Sequence, residues 1–228
     1  MNFAEELKGR LKSRGASFVG YSRPGDKLIG KLSELPYAIT VGVRLSDFII
    51  DEIAQKPTYT YFHHYRTVNA LIDQLTLLGM LEIQDKGFKA LAVPASQTVN
   101  DMEEDYSAIF PHKTGAVMSG LGWIGLSGLF ISSDFGPRVR LGTILTNMEL
   151  PVECRIMEVQ CGECRLCVES CPAMALTGNC WEEGCKRSRV VDAKACSDYM
   201  NKHFKHIGRG SVCGICMRVC PQGGKKHF

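Results

Sequence analysis

Eleven cysteines constrain this chain more than any other feature, and all of them lie after residue 153. They stand at positions 154, 161, 164, 167, 171, 180, 185, 196, 213, 216 and 220 of 228. Thiols that crowded either oxidise to disulfides or go to metal, and the compartment decides which. The opening stretch, MNFAEELKGRLKSRG, is charged throughout. It has no secretory h-region and no twin-arginine pair. That predicts a cytoplasmic address, where thiols stay reduced, and so points to metal. No apolar run reaches the 18 or so residues a membrane span needs. The break in cysteine usage predicts two domains, 1–150 and 151–228, joined at MELPVEC with its helix-breaking Pro151.

The run CGECRLCVESCP at 161–172 reads C-x2-C-x2-C-x3-C-P. This is the bacterial ferredoxin spacing, in which three closely spaced thiolates hold three corners of a [4Fe-4S] cube and the fourth serves the other cube. A second box, Cys213, Cys216 and Cys220-Pro221, is one cysteine short, with Gly210 at the missing position. A zinc knuckle needs paired C-x2-C and a tetrahedral four, which this spacing suits poorly. Two cubes need eight thiolates and the boxes supply seven. The crossed pattern assigns Cys161, Cys164, Cys167 and Cys220 to one cluster. It assigns Cys171, Cys213, Cys216 and an eighth ligand to the other. Cys180, Cys185 and Cys196 are candidates for that place. The first two sit in the polar loop TGNCWEEGCKRSR, whereas Cys196 lies in VDAKACSDYM, which starts like a helix, and is the favoured choice. Cys154, Cys180 and Cys185 are then spare.

The predicted class is α+β: a mixed α/β domain followed by a small ferredoxin-like domain. Phe3, Leu7 and Leu11 mark an opening helix. ASFVGYS and YAITVGVRL read as strands. Residues 58–82 form the clearest helix, with Tyr61, Tyr65, Val68, Ile72, Leu75 and Gly79 in one stripe. FKALAV reads as a strand closed by Pro94, and a short helix is expected over 112–119. GLFISS and VRLGTILTN are expected to pair as strands. GLGWIG at 120–125 matches G-x-G-x-x-G, but a dinucleotide site needs a strand before it, a helix after it and an acid about 20 residues on. Here helix precedes, strand follows, and position 140 is arginine.

SGLGWIGLSGLFIS, VRLGTILTNMELP, CGECRLCVESCPAMAL, VDAKACSDYM and CGICMRVCP occur in the order seen in epoxyqueuosine reductases, which this chain resembles and which are relatives of the reductive dehalogenases. The resemblance is specific over about 112–221 and looser before it, where GASFVGYS and YAITVGVRL hold comparable places. It implies a corrinoid-binding domain at 1–150, with base-off cobalamin reduced by the nearer cluster. It also supports Cys196, because the family carries a cysteine in its D-A-x-x-C segment. In this reading Gly120 and Gly122 let backbone approach the corrin, Ser119, Ser127 and Arg138 serve its polar rim, and Trp123 packs on its face. Tyr106 and His112 are the candidate acids.

Three departures qualify the resemblance. The family presents a catalytic aspartate in a V-D-S-A-P-like stretch, and AVPAS here has Pro94 at that place. Counting back without gaps from Gly120 lands on Tyr106 instead. The sequence stops eight residues after Cys220, with no helical repeats of the kind that help the family hold tRNA. Residues 151–228 carry 12 Lys and Arg against 8 Asp and Glu, and residues 1–150 carry 15 against 16. Two oxidised cubes at roughly −2 each cancel the excess, so no basic stripe for nucleic acid remains. The expected function is an iron-sulfur oxidoreductase that passes electrons through two clusters to a corrinoid acting on a small substrate. Its donor would be a low-potential ferredoxin or flavodoxin. The alternatives are an electron carrier that reactivates a partner corrinoid protein, and a two-cluster ferredoxin whose first domain only docks partners.

Overall fold

The computed structural model describes residues 3–25, 28–96, 108–152, 156–208 and 212–223. Helix α1 (Phe3–Ser13) buries Ala4, Leu7 and Leu11 and keeps Glu5 and Glu6 at its positive end, Arg10 and Lys12 at its negative end. Strand β1 (Phe18–Ser22) and strand β2 (Tyr37–Arg44) follow, then short α2 (Asp47–Asp51). The long α3 (Tyr59–Gln84) begins at Thr58, whose side chain accepts the Tyr61 N–H as an N-cap. Strand β3 (Ala90–Val93), helix α4 (His112–Met118), strands β4 (Gly122–Ile124), β5 (Phe130–Ser132) and β6 (Val139–Thr146) complete the first part. The cysteine-dense part contains α5 (Leu166–Glu169), α6 (Ala193–His203) and α7 (Ile215–Arg218).

Four strands form one sheet in the order β1-β2-β6-β3, every pair antiparallel. An antiparallel sheet commonly leaves one face to water and alternates apolar with polar. Strands β2 and β6 instead are buried almost end to end, because both faces of the sheet are covered. Ile39, Val41, Val43 and Ile144 face α1 and α3 in one core. On the other face Phe18, Val139 and Leu141 pack with α4 and with Phe130. The stripe expected on α3 is the face against the sheet, with Ile72 and Leu75 at most 1% exposed. Gly79 belongs to it for a steric reason: a Cβ there would sit 2.6 Å from Ile144 Cδ1. Ile72→Ala is expected to cost about 3 kcal/mol and to lower the melting temperature by roughly 6–12 °C. A thermal shift below about 2 °C would show that this face is not the core.

One expected pairing is corrected. GLFISS does not pair with VRLGTILTN. Phe130–Ser132 pairs with Gly122–Ile124 in a separate two-stranded hairpin, while Val139–Thr146 lies between β2 and β3. A three-residue strand gives no readable alternation, so the glycine-rich segment reads as a turn in sequence. The composition break near residue 150 is not a gap in packing either. Val212, Ile215 and Met217 share the core of α3 and the sheet.

Candidate cluster sites and the adjoining cavity

Cys161, Cys164, Cys167 and Cys220 line one cavity, closed on the far side by Gly125, Ser127 and Ile131 of the β4–β5 hairpin. Cys171, Cys196, Cys213 and Cys216 line a second cavity of about 180 Å³, with Lys113, Ser127 and Leu129 on its wall. Local structure explains the crossing. Helices α5 and α7 pack against each other. Each ends just before a Cys-Pro, so Cys171 leaves α5 toward the second box and Cys220 leaves α7 toward the first. Gly162 and Gly214, at φ 53° and 80°, turn the chain inside each box. Cys196 is delivered one turn into α6, whose N-cap Asp192 accepts the Ala195 N–H.

Each group contains thiols that burial and crowding hold in the neutral form. Burial, then the fields of Cys220, Cys161 and Cys164, push Cys167 up to about 11. Burial likewise pushes Cys213 up to about 11, with Cys196 and Cys171 adding to the rise. Cys216 is raised by burial and by Cys213, Cys196, Cys171 and Cys167. Four thiolates in one enclosed volume repel each other, and only a positively charged core makes the ionised state favourable. Among the described residues no three Cys, His, Asp or Glu side chains converge closely enough for one metal ion. Four sulfurs lining one cavity match the four corners at which a cube is held, the reading that the spacing favours. Cys180 and Cys185 line neither cavity, and Cys154 lies outside the described residues.

The residues expected to cradle a corrin do not form a common site. Ser119 donates to the Gly115 carbonyl and ends α4. Gly120 borders a separate cleft beside Ile156 and Gln160. Gly122 is taken up by the hairpin: a Cβ there would lie 1.9 Å from the Ile131 carbonyl oxygen. Trp123 is 3% exposed, opposite Ile131 in the same hairpin. Arg138 is buried and donates to Asp47 and Asp51 at 2.9 and 2.8 Å. Only Ser127 reaches a functional wall, that of both cysteine cavities. Gly122 thus serves chain-on-chain contact within the hairpin.

A further cavity adjoins the second cysteine cavity. It measures about 510 Å³ and runs between α4, β6 and the hairpin. It shares Lys113 and Leu129 with the second cysteine cavity. His112 is on its wall, but as an acid it is closed off. Its Nε2 stands 2.9 Å from the Pro94 carbonyl, which can only accept, and Nδ1 stands 2.8 Å from Thr143 Oγ1. Burial holds it below the usual imidazole range, with Arg140 adding to the lowering and the Pro94 bond and Asp73 opposing. The neutral ring therefore donates from Nε2 and accepts at Nδ1. Tyr106 lies outside the described residues.

Sequence reading missed Lys113, Arg140 and Tyr65. Lys113 donates to the Gly128 carbonyl at 2.6 Å, and burial, Arg187 and Arg140 push it down to about 8. Arg140 donates to Asn69 at 2.9 Å and to Tyr65 at 3.2 Å, and lies 4.4 Å over the Tyr65 ring. Burial alone would raise the Tyr65 hydroxyl, but Arg140 and the bonds to Ser96 and Asn69 hold it below the usual phenol range. A signal existed for Arg140, which is the one charged residue of β6.

Residues 160–223 match the family described as 4Fe-4S double cluster binding domain. The chain is 32% identical over 150 residues to an epoxyqueuosine reductase of Synechocystis sp., covering 60% of this chain and 48% of that one. It is 36% identical over 115 residues to the tetrachloroethene reductive dehalogenase of Sulfurospirillum multivorans, covering 46% and 22%. The chain thus spans about half or less of the length of these curated relatives. Among solved structures, a catabolic reductive dehalogenase bound to 3-bromo-4-hydroxybenzoic acid superposes with a TM-score of 0.75 at 19% identity, over 95% of this chain and 31% of that one. The epoxyqueuosine reductase from Streptococcus thermophilus does so at 0.59 and 18%, over 99% and 67%. These matches bear out the resemblance seen in the sequence, the α+β class and the double-cluster segment. No helix among the described residues is long and apolar enough to cross a membrane.

Proposed function

We propose that this chain is an iron-sulfur oxidoreductase whose two [4Fe-4S] clusters pass electrons to a corrinoid bordering the 510 Å³ cavity, where a small substrate is reduced. In this reading residues 151–228 are the cluster domain and 1–150 the domain that receives the electrons. Cys161, Cys164, Cys167 and Cys220 hold the outer cluster, and Cys171, Cys196, Cys213 and Cys216 the inner one. One observation carries the reading. The two cysteine cavities share Ser127, and the second shares Lys113 and Leu129 with the 510 Å³ cavity. Each site therefore shares wall residues with its neighbour. A bound corrinoid would supply low-valent cobalt, a reductant stronger than any side chain. The protein's own part is to keep the cavity walled by Phe110, Leu129 and Leu141 and to hold Arg140 through Tyr65 and Asn69. The electron donor is a low-potential ferredoxin or flavodoxin, and reduced thiols fit a cytoplasmic setting.

The relatives named epoxyqueuosine reductase suggest a tRNA substrate, which we do not assign to this chain. Pro94 stands where the family aspartate is expected, and the net charge leaves no basic stripe. Turnover of epoxyqueuosine-containing tRNA by the cluster-loaded chain is expected to stay at background. Multiple turnovers would overturn that substrate assignment.

A second reading has its own support. A cavity of about 510 Å³ is of a size for a drug-sized ligand, smaller than a whole cobalamin needs, and the expected cradle is packed shut. The chain would then pass electrons to a partner corrinoid protein. Anaerobic reconstitution followed by cobalamin and desalting separates the two. About one cobalt retained per chain, with both clusters loaded, supports the reductase. Loaded clusters with no retained cobalt support the carrier.

A further inference from the structure

Charge is unevenly placed along this chain. Residues 199–228 hold six Lys and Arg and no Asp or Glu, whereas residues 1–198 hold 21 against 24. Part of that basic run forms a fixed surface. Helix α6 ends at His203, and a single 3-10 turn over Lys205–Ile207 follows it. Lys202, His203, Lys205 and His206 are exposed there, while Phe204 and Ile207 among them are each 6% exposed and anchor the turn. Gly208 then closes it against α3: a Cβ there would lie 2.3 Å from the Phe62 ring. A helix C-terminus favours cations in its own last turn, which accounts for Lys202 and His203 but not for Lys205 and His206 beyond it. The same helix brings Cys196 to the second cysteine cavity, and Tyr199, about one turn on, lines that cavity too. The Tyr199 ring stacks on His203 with centroids 4.3 Å apart. One aromatic ring therefore stands between an exposed side chain of this surface and the cavity.

We propose that the end of α6 and the turn after it are the docking surface for an acidic redox protein, which takes electrons from the second cluster. Carboxylates around the partner's redox centre would pair with Lys202 and Lys205 and set that centre over His203 and Tyr199. Net charge governs solubility, but the placement of charge governs how a partner approaches and in which orientation. One helix end is a patch, not the extended basic track that a nucleic acid backbone follows. Its place against a cluster cavity suits a partner that exchanges electrons. The partner's centre gains the one electron that a reduced cube gives up, and no bond forms or breaks. The electron itself comes from the low-potential donor named above. The proposal deepens the carrier reading by naming where, and by what charge, its partner is held. It rests on that reading for the partner's being an electron acceptor.

The probes are native cytochrome c, which is basic, and the same protein succinylated, which turns its lysines into carboxylates. The cluster-loaded chain is reduced with dithionite, desalted without oxygen and mixed with either probe while haem reduction is followed. At low salt the succinylated form is expected to react about ten-fold faster than the native form, and to lose that advantage as salt rises. Lys202→Glu combined with Lys205→Glu is expected to reverse the order, with full iron content as the check on folding. Calorimetric binding of the succinylated probe to the oxidised chain is expected to weaken in the same variant. Equal rates for the two probes overturn the proposal, as does an unchanged order in the variant. So does a Cys196→Ala chain, left with the first cluster, that reduces the succinylated probe as fast as the unaltered chain, because the electrons would then leave elsewhere. A short RNA hairpin is the competing occupant. If it displaces the succinylated probe at physiological salt and the double substitution abolishes its binding, the surface is a nucleic acid site and the proposal falls. Cobalt retention is measured separately. Retained cobalt with the probe preference leaves the surface standing and removes the carrier reading. No retained cobalt and no preference keeps the carrier and removes the surface.

Discussion

Cys196→Ala is expected to leave the reconstituted chain with about four iron and four sulfide, against about eight of each for the unaltered chain. Cys196 stands with Cys171, Cys213 and Cys216 around one cavity. Burial and then the field of Cys171 keep its thiol above the ordinary range. Alanine removes one of four thiolates from that cube and leaves Cys161, Cys164, Cys167 and Cys220 untouched. Cys180 and Cys185 line neither cavity, so Cys180→Ala and Cys185→Ala are expected to keep the full count. Iron and acid-labile sulfide analysis on the three variants decides the matter. Equal losses in all three would remove the basis for the eighth ligand. Full iron in Cys196→Ala would send the assignment to another residue.

The parts legible in the sequence are those carried by spacing. The cysteine boxes state their chemistry through intervals of two and three residues, and the crossing follows once α5 and α7 lie side by side. The stripe on α3 is legible for the same reason, since a helix face is a local period. What sequence reading misses is carried by contacts across many residues. Arg138 reads as a free donor, but its partners Asp47 and Asp51 lie on α2, far back in the chain. Tyr65 reads as part of an apolar stripe, and only the strand order places Arg140 of β6 over its ring. His112 does stand on the cavity wall, yet its two bonds to Pro94 and Thr143 come from a loop and a strand that no local pattern connects to it. The glycine-rich segment shows the limit of such reading. Glycine marks a close approach, but sequence does not say whether a ligand or the chain itself approaches.

Gly122→Val tests which of those it is. Had the segment cradled a corrin, valine would block the ring and leave the clusters assembled. The structure leads to a different expectation. Gly122 has φ 155°, a conformation that side-chain-bearing residues rarely adopt. Its Cβ would lie 1.9 Å from the Ile131 carbonyl oxygen and 2.9 Å from the carbon behind it. Both are backbone atoms of the paired strand, so no side chain can turn aside to make room. Relief requires opening the β4–β5 pair, which exposes Trp123 and Phe130, each 3% exposed in the native fold. Strain and lost burial together should cost more than about 4 kcal/mol. The same hairpin supplies Gly125, Ser127 and Ile131 to the first cysteine cavity, so iron loading should fall along with the melting temperature. Gly9→Ala is the matched control. Gly9 lies inside α1, and a Cβ added there would meet nothing within 4 Å, so alanine should stabilise by up to about 1 kcal/mol. If Gly122→Val melts like the unaltered chain, keeps both clusters and loses only cobalamin, the hairpin account is wrong. The glycines would then face a cofactor after all.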